Sequence, residues 1–287
     1  MGLLLEDMDQ IFVSRFLDGF EKHIVAFVRE AQRELEDAKR FSESAEATLT
    51  AALGLGDWQP PEPLTYTRTL SEVFQTRRLD AQFFAPRYTA LREFFEKHFD
   101  VRELGQIGDV LKGVTVPYHD DGTIPIIRSG DLVDISDDGR FLRAQPNEPV
   151  FNLERGDVLI SSIGFGSIGK VQVFDKPGRY GTVSEVSVVR QREVNPYFLT
   201  SFLRSPAGQI QLDRFITGAT GQLHLYPRDV TRVFVPLISE KQQQRFQNLA
   251  ESAHTSRTRA RELLDRAKRA VEIAIEKDEK AALNFLG

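Results

Sequence analysis

Apolar residues recur every three or four positions from Val13 to Ala52, and a similar pattern returns near the other end of the chain. This spacing places the apolar side chains on one narrow stripe of a helix. About 40 residues at 1.5 Å each give a rod on the order of 60 Å, and so long a helix needs a second helix along its stripe. The predicted stripe consists of Val13, Leu17, Phe20, Ile24, Val28, Ala31, Leu35, Ala38, Phe41, Ala45, Leu49 and Ala52.

A second rod is predicted from about Ser239 to the last residue, and its sequence repeats that of the first. Residues 31–40 align with residues 260–269 at one offset of 229, the difference between 260 and 31. The identical residues are Ala31, Leu35, Ala38, Lys39 and Arg40. The second stripe consists of Phe246, Leu249, Ala253, Ala260, Leu264, Ala267, Val271 and Ala274. The alanines on both stripes predict that the two helices approach each other closely.

The segment after the first rod is predicted to form a shorter helix. Glycines at 54 and 56 and the prolines at 60–63 end the rod. A helix rich in aromatic residues is then expected around Ala81 to Phe99, packed on the body that follows. Its apolar face would carry Phe83, Phe84, Tyr88, Leu91, Phe94 and Phe95.

Between Val101 and Leu237 the pattern changes to short β-type runs separated by glycine turns, which is typical of a strand-dominated domain. Strands are predicted at 114–116, 124–127, 158–163, 170–174, 183–189 and 232–235. One helix is predicted in this body, because Asn195 suits an N-cap and Pro196 the first helical position. The aspartates at 120–121 and 137–138, each followed by glycine, are expected to form turns.

The expected fold class is therefore α+β, a strand-rich mixed domain flanked by two long helices that pack as a coiled-coil-like spacer. We expect an N-terminal spacer helix at residues 1–56 and a linker at 57–77. The globular domain would occupy residues 78–237 and the C-terminal spacer helix residues 238–287.

Composition removes several classes of function. The 287 residues include no cysteine, which excludes disulfides and thiolate nucleophiles, and the five histidines show no metal-ligand spacing. No Ser/His/Asp set or carboxylate pair has usable spacing, so no catalytic residue, metal or cofactor is expected. No apolar run approaches the roughly 20 residues that span a bilayer, and no leader is visible. We expect a cytoplasmic protein without membrane contact.

Charge leaves nucleic-acid binding open. The net charge of −5 argues against a protein that coats nucleic acid without specificity. From Arg140 to Arg232, however, the sequence contains 12 Lys and Arg residues and only 8 Asp and Glu residues. The strand-dominated body is thus locally positive over this stretch.

The sequence Asn195-Pro196-Tyr197-Phe198 is superficially similar to the Asn-Pro-Pro-Tyr/Phe loop of amino-methyltransferases. An N-cap followed by a helix-starting proline explains the same residues. The glycine-rich cofactor turn that should precede such a loop is also missing, so the structural interpretation is favoured.

A glycine-rich stretch, Gly164–Lys170, lies between two predicted strands. A nucleotide-binding P-loop needs Ser or Thr after the lysine at the start of a helix, whereas Val171 continues a strand. Two interpretations remain. The turn brings its amides and Lys170 against a nucleic-acid phosphate, or it is a plain hairpin turn.

The segment Thr217–Arg228 combines small flexible residues with Gln222, His224, Tyr226 and Arg228. Glutamine can read adenine, arginine can read guanine or hold phosphate, and tyrosine or histidine can stack. The same side chains also occur on surface loops without a function.

An ordered series of motifs in the body resembles the target recognition domains of the DNA specificity (S) subunits of type I restriction-modification systems. The series runs through residues 108–110, 124–132, 156–161, 167–171, 196–199 and 218–220. Residues 233–242 are similar to the proline-containing strand that leads into the spacer helix of these subunits. The double proline and the Glu-Gln pair that are usual in the family at this point are only partly kept in this sequence. A full S subunit alternates two recognition domains with two helical regions, so this chain resembles half of one.

The resemblance implies a non-catalytic subunit that reads one half of a split target on double-stranded DNA. Its helices would dock methyltransferase (M) subunits, with restriction (R) subunits as further candidate partners. The chain would form a homodimer or pair with a second half-subunit. An alternative is a structural or regulatory protein that occupies the methyltransferase docking surface without binding DNA, and a DNA-modifying enzyme is the third.

The resemblance also implies roles for loop residues. Phosphate contacts would come from Lys170, Arg128 and Arg228. Base edges would be reached by Gln222, His224 and Ser129, with Lys112 and His119 as further candidates. Tyr226 completes the expected DNA-binding set.

Overall fold

The computed structural model describes residues 16–133, 135, 141–164, 166–218 and 222–287. Helices and strands are mixed, which confirms the predicted α+β class. The predicted stripe position Val13, the turn at residues 137–139, and Ala219 and Thr220 of the last motif lie outside the described residues.

The helices are α1 (Asp18–Ala52), α2 (Leu70–Thr76), α3 (Pro86–His98), α4 (Leu104–Ile107), α5 (Pro196–Arg204), α6 (Pro206–Phe215), α7 (Pro227–Val230), α8 (Glu240–Glu276) and α9 (Glu279–Leu286). The strands are β1 (Val101–Glu103), β2 (Gly108–Lys112), β3 (Ile124–Ile127), β4 (Leu142–Ala144), β5 (Phe151–Asn152), β6 (Val158–Ser161), β7 (Val171–Val173), β8 (Gly181–Thr182), β9 (Val186–Gln191) and β10 (Phe234–Pro236). Short 3₁₀ helices span Gln82–Phe84 and Ser129–Val133.

The chain divides into two compact units. A helical unit contains residues 16–43 and Ala250–Gly287, and a globular unit contains Ser44–Leu249. Helices α1 and α8 contribute residues to both.

In the helical unit α1 and α8 run antiparallel and meet through alanines. Arg257 donates to the Ser42 hydroxyl (3.0 Å), whereas Arg259, further along α8, pairs with Glu30, earlier in α1 (2.7 Å). The seam alanines are almost fully buried, as Ala31, Ala38, Ala253, Ala260 and Ala267 are at most 4% exposed. Alanine leaves little between two helix backbones, so the predicted close approach is confirmed.

Three of the leucines predicted on these stripes are not part of the seam. Leu17, Leu35 and Leu264 are 73%, 48% and 40% exposed. Within the helical unit the buried residues of α8 follow the three- and four-residue steps of a heptad seam, and they are Ala253, Ser256, Ala260, Ala267 and Ala270. Leu35 and Leu264 each lie four residues after a seam alanine and therefore beside the seam. Leu17 precedes the first residue of α1. The prediction was wrong at Leu35 and Leu264 because helical spacing alone gives a broader stripe than the packing uses, and at Leu17 because the helix begins one residue later.

The last helix is also interrupted, although one continuous rod to the end was predicted. Asp278 is extended (φ −166°) and its carboxylate accepts from the Ala281 amide at 2.7 Å, capping α9. Because α9 then packs its apolar residues against α1, a small second core forms. This core contains Phe20, Ala270, Ala282 and Leu286.

Replacing Ala260 by leucine is expected to destabilise the helical unit by about 1–3 kcal/mol, because three added carbons must fit into a fully buried seam position. The site is 0% exposed. Urea unfolding and amide exchange over residues 250–276 would measure the effect. Thr255→Leu, at an exposed position of the same helix, is the matched control. Equal behaviour of the two variants would contradict the close packing.

In its described residues the globular unit contains two four-stranded sheets and a separate β1–β10 pair. One sheet has the order β2-β9-β6-β7 and is antiparallel throughout. The other has the order β4-β3-β8-β5, with β3 and β8 parallel.

The first sheet is covered on both faces. Val158 and Ile160 of β6 enter a core shared with α3, α5 and α6, while Leu159 points into a core with the second sheet. Alternate residues of a strand face opposite sides, so this strand is apolar at successive positions. The helices thus cover one face of this sheet, and the loops lie at its ends.

Most predicted strands are present, and one is not. Residues 114–116 form no strand, although the Val114 amide donates to Thr182 O at 3.1 Å. The neighbouring strand β9 begins at Val186, so the chain beyond Lys112 has no ladder to continue.

The predicted helix at Asn195 is confirmed as α5, but α6 was not predicted. Ser205 caps it by accepting from the Gly208 amide (3.3 Å), and Pro206 follows at the first helical position. This is the same signature as Asn195-Pro196. The aromatic helix is shorter than predicted, because α3 begins at Pro86 and the residues before it form a 3₁₀ turn. Its predicted packing on the body is confirmed by Phe95.

Candidate nucleic-acid interface

Two lysines of the expected DNA-binding set, Lys112 and Lys170, lie at the same end of the first sheet. In the ladder Lys112 pairs with Ser187, Ser187 with Ile160, and Ile160 with Val171. Lys170 directly precedes Val171. Since β2 and β7 are the two edge strands, their backbones are separated by three strand spacings, roughly 14 Å. Lys112 and Lys170 therefore bracket this end of the sheet.

The end of β3 meets the same region. The Thr182 hydroxyl donates to Ile127 O at 2.8 Å, and Thr182 O accepts from the Val114 amide. Arg128 and Ser129 follow Ile127 directly. Segments from both sheets thus converge beside the β8–β9 turn.

The Gly164–Lys170 loop connects β6 to β7, as predicted. Gly164, Gly166 and Gly169 have φ of 106°, 79° and 82°, which favours glycine. The amides of Ser167, Ile168, Gly169 and Lys170 all donate to backbone carbonyls. Because these four amides already donate hydrogen bonds within the turn, they are not available to a phosphate, and the backbone of the loop fits a plain hairpin turn. The Lys170 side chain is the part of the loop that could still contact a phosphate.

The Thr217–Arg228 loop lies against that hairpin. Leu225 N donates to Ser162 O at 2.8 Å, and Ile163 forms a β-bridge with His224. Thr217 and His224 exchange both backbone bonds (2.9 and 2.7 Å), so the loop closes on itself. Gln222 is exposed near its tip. The structure therefore brings together the two loops that the sequence singled out separately.

Side chains at alternate positions of this loop stack on one another. The His224 and Tyr226 rings are nearly parallel (10°) with centroids 5.8 Å apart. The Arg228 guanidinium lies 5.2 Å from the Tyr226 centroid, within cation–π range. The Arg228 side chain is 81% exposed. The stack presents an aromatic face and a positive charge to solvent.

Two other predicted residues already have acidic partners. Arg128 donates from Nε to Asp131 Oδ2 at 3.2 Å, and the Asp131 hydrogen bond raises the pKa of Arg128. His119 lies beside the edge strand β4, with Nε2 2.8 Å from Glu148 Oε1. A phosphate would have to compete with these carboxylates. His119 is thus set apart from the converging loops.

Sequence reasoning missed polar residues at the same sheet end. The Thr115 and Ser184 hydroxyls are 2.7 Å apart and join the segment after β2 to the β8–β9 turn. Tyr118 is exposed and interacts electrostatically with Arg128 and Glu185, while partial burial raises its pKa. Thr115 was not considered as a contact residue because residues 114–116 were predicted to form a strand. Tyr118 could have been identified, because it follows Pro117 in a loop, where exposed aromatic residues often make contacts.

Asn195 has a structural role. Its side-chain oxygen accepts from Tyr197 N (2.9 Å) and Phe198 N (3.3 Å), and its amide nitrogen donates to Gln247 Oε1 (2.9 Å). These bonds use the side chain to cap α5 and to hold it against the start of α8.

Within the part of the chain that the structure describes, no three His, Cys, Asp or Glu residues are grouped so that they could hold a metal ion. None of the helices described has a stretch long and apolar enough to cross a membrane.

No protein-family model matches the sequence, and no curated protein does. The structure is similar to that of the type I restriction-modification system S subunit from M. genitalium, with a TM-score of 0.47 and 14% identity, covering 93% of this chain and 59% of that one. It is also similar to the HsdS subunit from Thermoanaerobacter tengcongensis, with a TM-score of 0.43 and 17% identity, covering 91% and 59%. The chain spans 59% of the length of each. Both are S subunits, the class that the motif series resembles.

Proposed function

We propose that this chain is the sequence-specific DNA-recognition subunit of a type I restriction-modification complex. It reads one half of a split target with the loops of the globular unit, and its long helices dock methyltransferase subunits in the cytoplasm. It has no catalytic role of its own. A homodimer, or a pair with a second half-subunit, supplies the other half-site, and restriction subunits join through the complex.

The observation that carries this proposal is the convergence of separate loops at one end of the first sheet. Lys112, Lys170 and the His224–Arg228 stack come from three distant stretches of sequence and lie at the same end. Lys170 and the exposed Arg228 are assigned to phosphates, while Lys112, the exposed Gln222 and the stacked rings are assigned to base edges. The edge strands that lead to Lys112 and Lys170 have backbones roughly 14 Å apart, which is comparable to the width of a major groove, about 12 Å.

The net charge of −5 favours a surface that recognises a DNA sequence over a surface that binds any DNA without specificity. At this end Arg128 is paired with Asp131, and Arg228 Nε lies 3.9 Å from Asp229 Oδ2, so both arginines would exchange a carboxylate for a phosphate on binding. Affinity should then depend on a small number of phosphate contacts and on base contacts, and the salt dependence should be shallow.

The proposal predicts different effects for Lys170 and Gln222. Lys170→Gln should weaken binding to all sequences and lower the salt slope by about 1. Gln222→Ala should change base preference at one position by about 1–3 kcal/mol and leave that slope unchanged. Selection of bound sequences from randomised duplexes, with the cognate methyltransferase subunit present, would measure both.

The matched control is Lys97→Gln, at an exposed position on α3. Because α3 packs on the helix-covered face of the first sheet, this change should leave affinity and preference as they are. If Lys170→Gln and Gln222→Ala behave alike, the assigned roles are wrong. Binding that is uniform over all sequences would overturn DNA reading altogether.

The net negative charge also favours one alternative, a regulatory protein that occupies the methyltransferase docking surface without reading DNA. Co-purification with the methyltransferase but no DNA affinity in the complex would select it. The mass of the purified chain, alone and with the methyltransferase subunit, would decide between self-association and pairing with another chain.

A further inference from the structure

A cleft rich in arginine lies between α3, α6 and the β1–β10 pair, within the globular unit. It encloses about 50 Å³, and its lining includes Tyr88, Arg92, Glu103, Arg214 and Arg232. Neither the DNA-recognition loops nor the spacer helices explain why this cleft is so rich in arginine.

Arg214 is partly buried in this cleft and has no carboxylate partner among the residues that the structure describes. Its Nε donates to Phe83 O at 3.1 Å. The guanidinium lies over the rings of Phe83 (4.6 Å) and Tyr88 (5.3 Å). Among the described residues the charged groups that act most strongly on Arg214 are Arg232, Arg92 and Arg68, and none of them is a carboxylate. The aromatic faces favour the cation, but its terminal N–H donors are left for another acceptor.

Other arginines increase the positive charge around Arg214. Arg232 stacks on Phe215 at 5.0 Å and also has no acidic partner in the described part of the chain. Arg92, over Phe234, pairs with Glu96 (2.7 Å) and with Glu103 (3.5 Å), the carboxylate in the lining. Arg68 also lies close enough to repel Arg214.

The nearby acids do not cancel this charge. Glu103 is already shared with Arg92, and Asp213 interacts with Arg87, with its pKa raised by burial. Burial, followed by repulsion from Arg232, lowers the pKa of Arg214 to about 10. It therefore keeps its charge at neutral pH at a cost to folding, which a bound anion would reduce.

We propose that this cleft binds a single tetrahedral phosphate group, held by Arg214 and Arg232. A water needs about 10–15 Å³ of such space, so 50 Å³ accommodates roughly four oxygen-sized groups. Two guanidinium groups offer several donors in the planar arrangement that suits phosphate oxygens. The site is separate from the DNA-recognition loops and does not depend on the function proposed for them.

Calorimetric titration of the full chain with inorganic phosphate tests the site, with sodium chloride at equal ionic strength as the reference. The wild type should bind one phosphate in a saturable way. Arg214→Gln and Arg232→Gln should each weaken binding by about tenfold or more, since each removes charged hydrogen bonds. Arg232 is exposed, so its variant remains informative if Arg214→Gln fails to fold.

One control separates this site from other cations. Arg155→Gln, at an exposed arginine outside the cleft lining, should bind phosphate as the wild type does. Absence of saturable binding, or equal affinity in all three variants, would overturn the proposal. A thymidine dinucleotide compared with inorganic phosphate identifies the source. Tighter diester binding indicates a nucleic-acid backbone, and tighter binding of the free ion indicates a small anion.

Discussion

Replacement of Phe95 by alanine is expected to lower the free energy of unfolding by about 3–5 kcal/mol, the usual range for removing a buried aromatic ring. Phe95 is 0% exposed. Its ring centroid lies 6.1 Å from that of Phe202 on α5 and 6.2 Å from that of Phe234 on β10. One side chain thus contacts three elements, and its removal leaves a cavity where they meet.

Urea unfolding of the full chain would measure this effect. Phe74→Ala is the matched control, because Phe74 is 76% exposed and its loss should change stability by no more than about 0.5 kcal/mol. Phe95→Leu, which keeps part of the volume, should fall between the two. A loss below about 1 kcal/mol for Phe95→Ala would show that α3 does not pack on the body as described.

Replacement of Asp157 by asparagine should destabilise the globular unit by about 2–3 kcal/mol, because a buried charged pair loses one partner. Asp157 is 1% exposed. It accepts from Arg190 Nε and Nη2 at 2.9 and 2.8 Å, and from the Glu154 amide at 2.8 Å. An asparagine would turn one acceptor into a donor facing these donors.

The chain contains its own control for this substitution. Glu154 pairs with the same guanidinium at 2.6 Å but is 64% exposed. Glu154→Gln should therefore change stability by less than about 1 kcal/mol. If the two variants lose equal stability, burial is not what gives the Asp157–Arg190 pair its strength. Asp157 belongs to a motif of the family resemblance, and this experiment would assign it to folding.

The fold was predictable where the pattern is local. Helical spacing revealed α1 and α8, and an N-cap followed by proline revealed α5. The Ser205-Pro206 signature of α6 was equally local and was overlooked. By contrast, the exposure of Leu35 and Leu264 depends on which residues of a partner helix approach, and no single stripe contains that information. The end of the ladder at Lys112 depends likewise on where β9 begins.

The candidate site divides in the same way. The residue types in the Gly164–Lys170 and Thr217–Arg228 loops marked them as contact segments, but their adjacency depends on pairing between Ser162 and Leu225. The Asp131 partner of Arg128 lies three residues away and could have been anticipated, whereas Glu148 reaches His119 across 29 residues. The sequence identifies which residues carry suitable chemical groups, but pairing between distant segments determines which of these residues lie on the same surface.

The contact between Glu30 and Arg259 has a geometric consequence. These residues are separated by 229 positions, the offset that relates the two copies of the helical repeat. Two antiparallel copies that cross at equivalent residues are related by an approximate two-fold axis through the crossing. The surroundings of Leu35 on α1 therefore recur around Leu264 on α8, with the same lysine and arginine following four and five residues later. One chain thus presents the same helix surface twice, in two opposite directions.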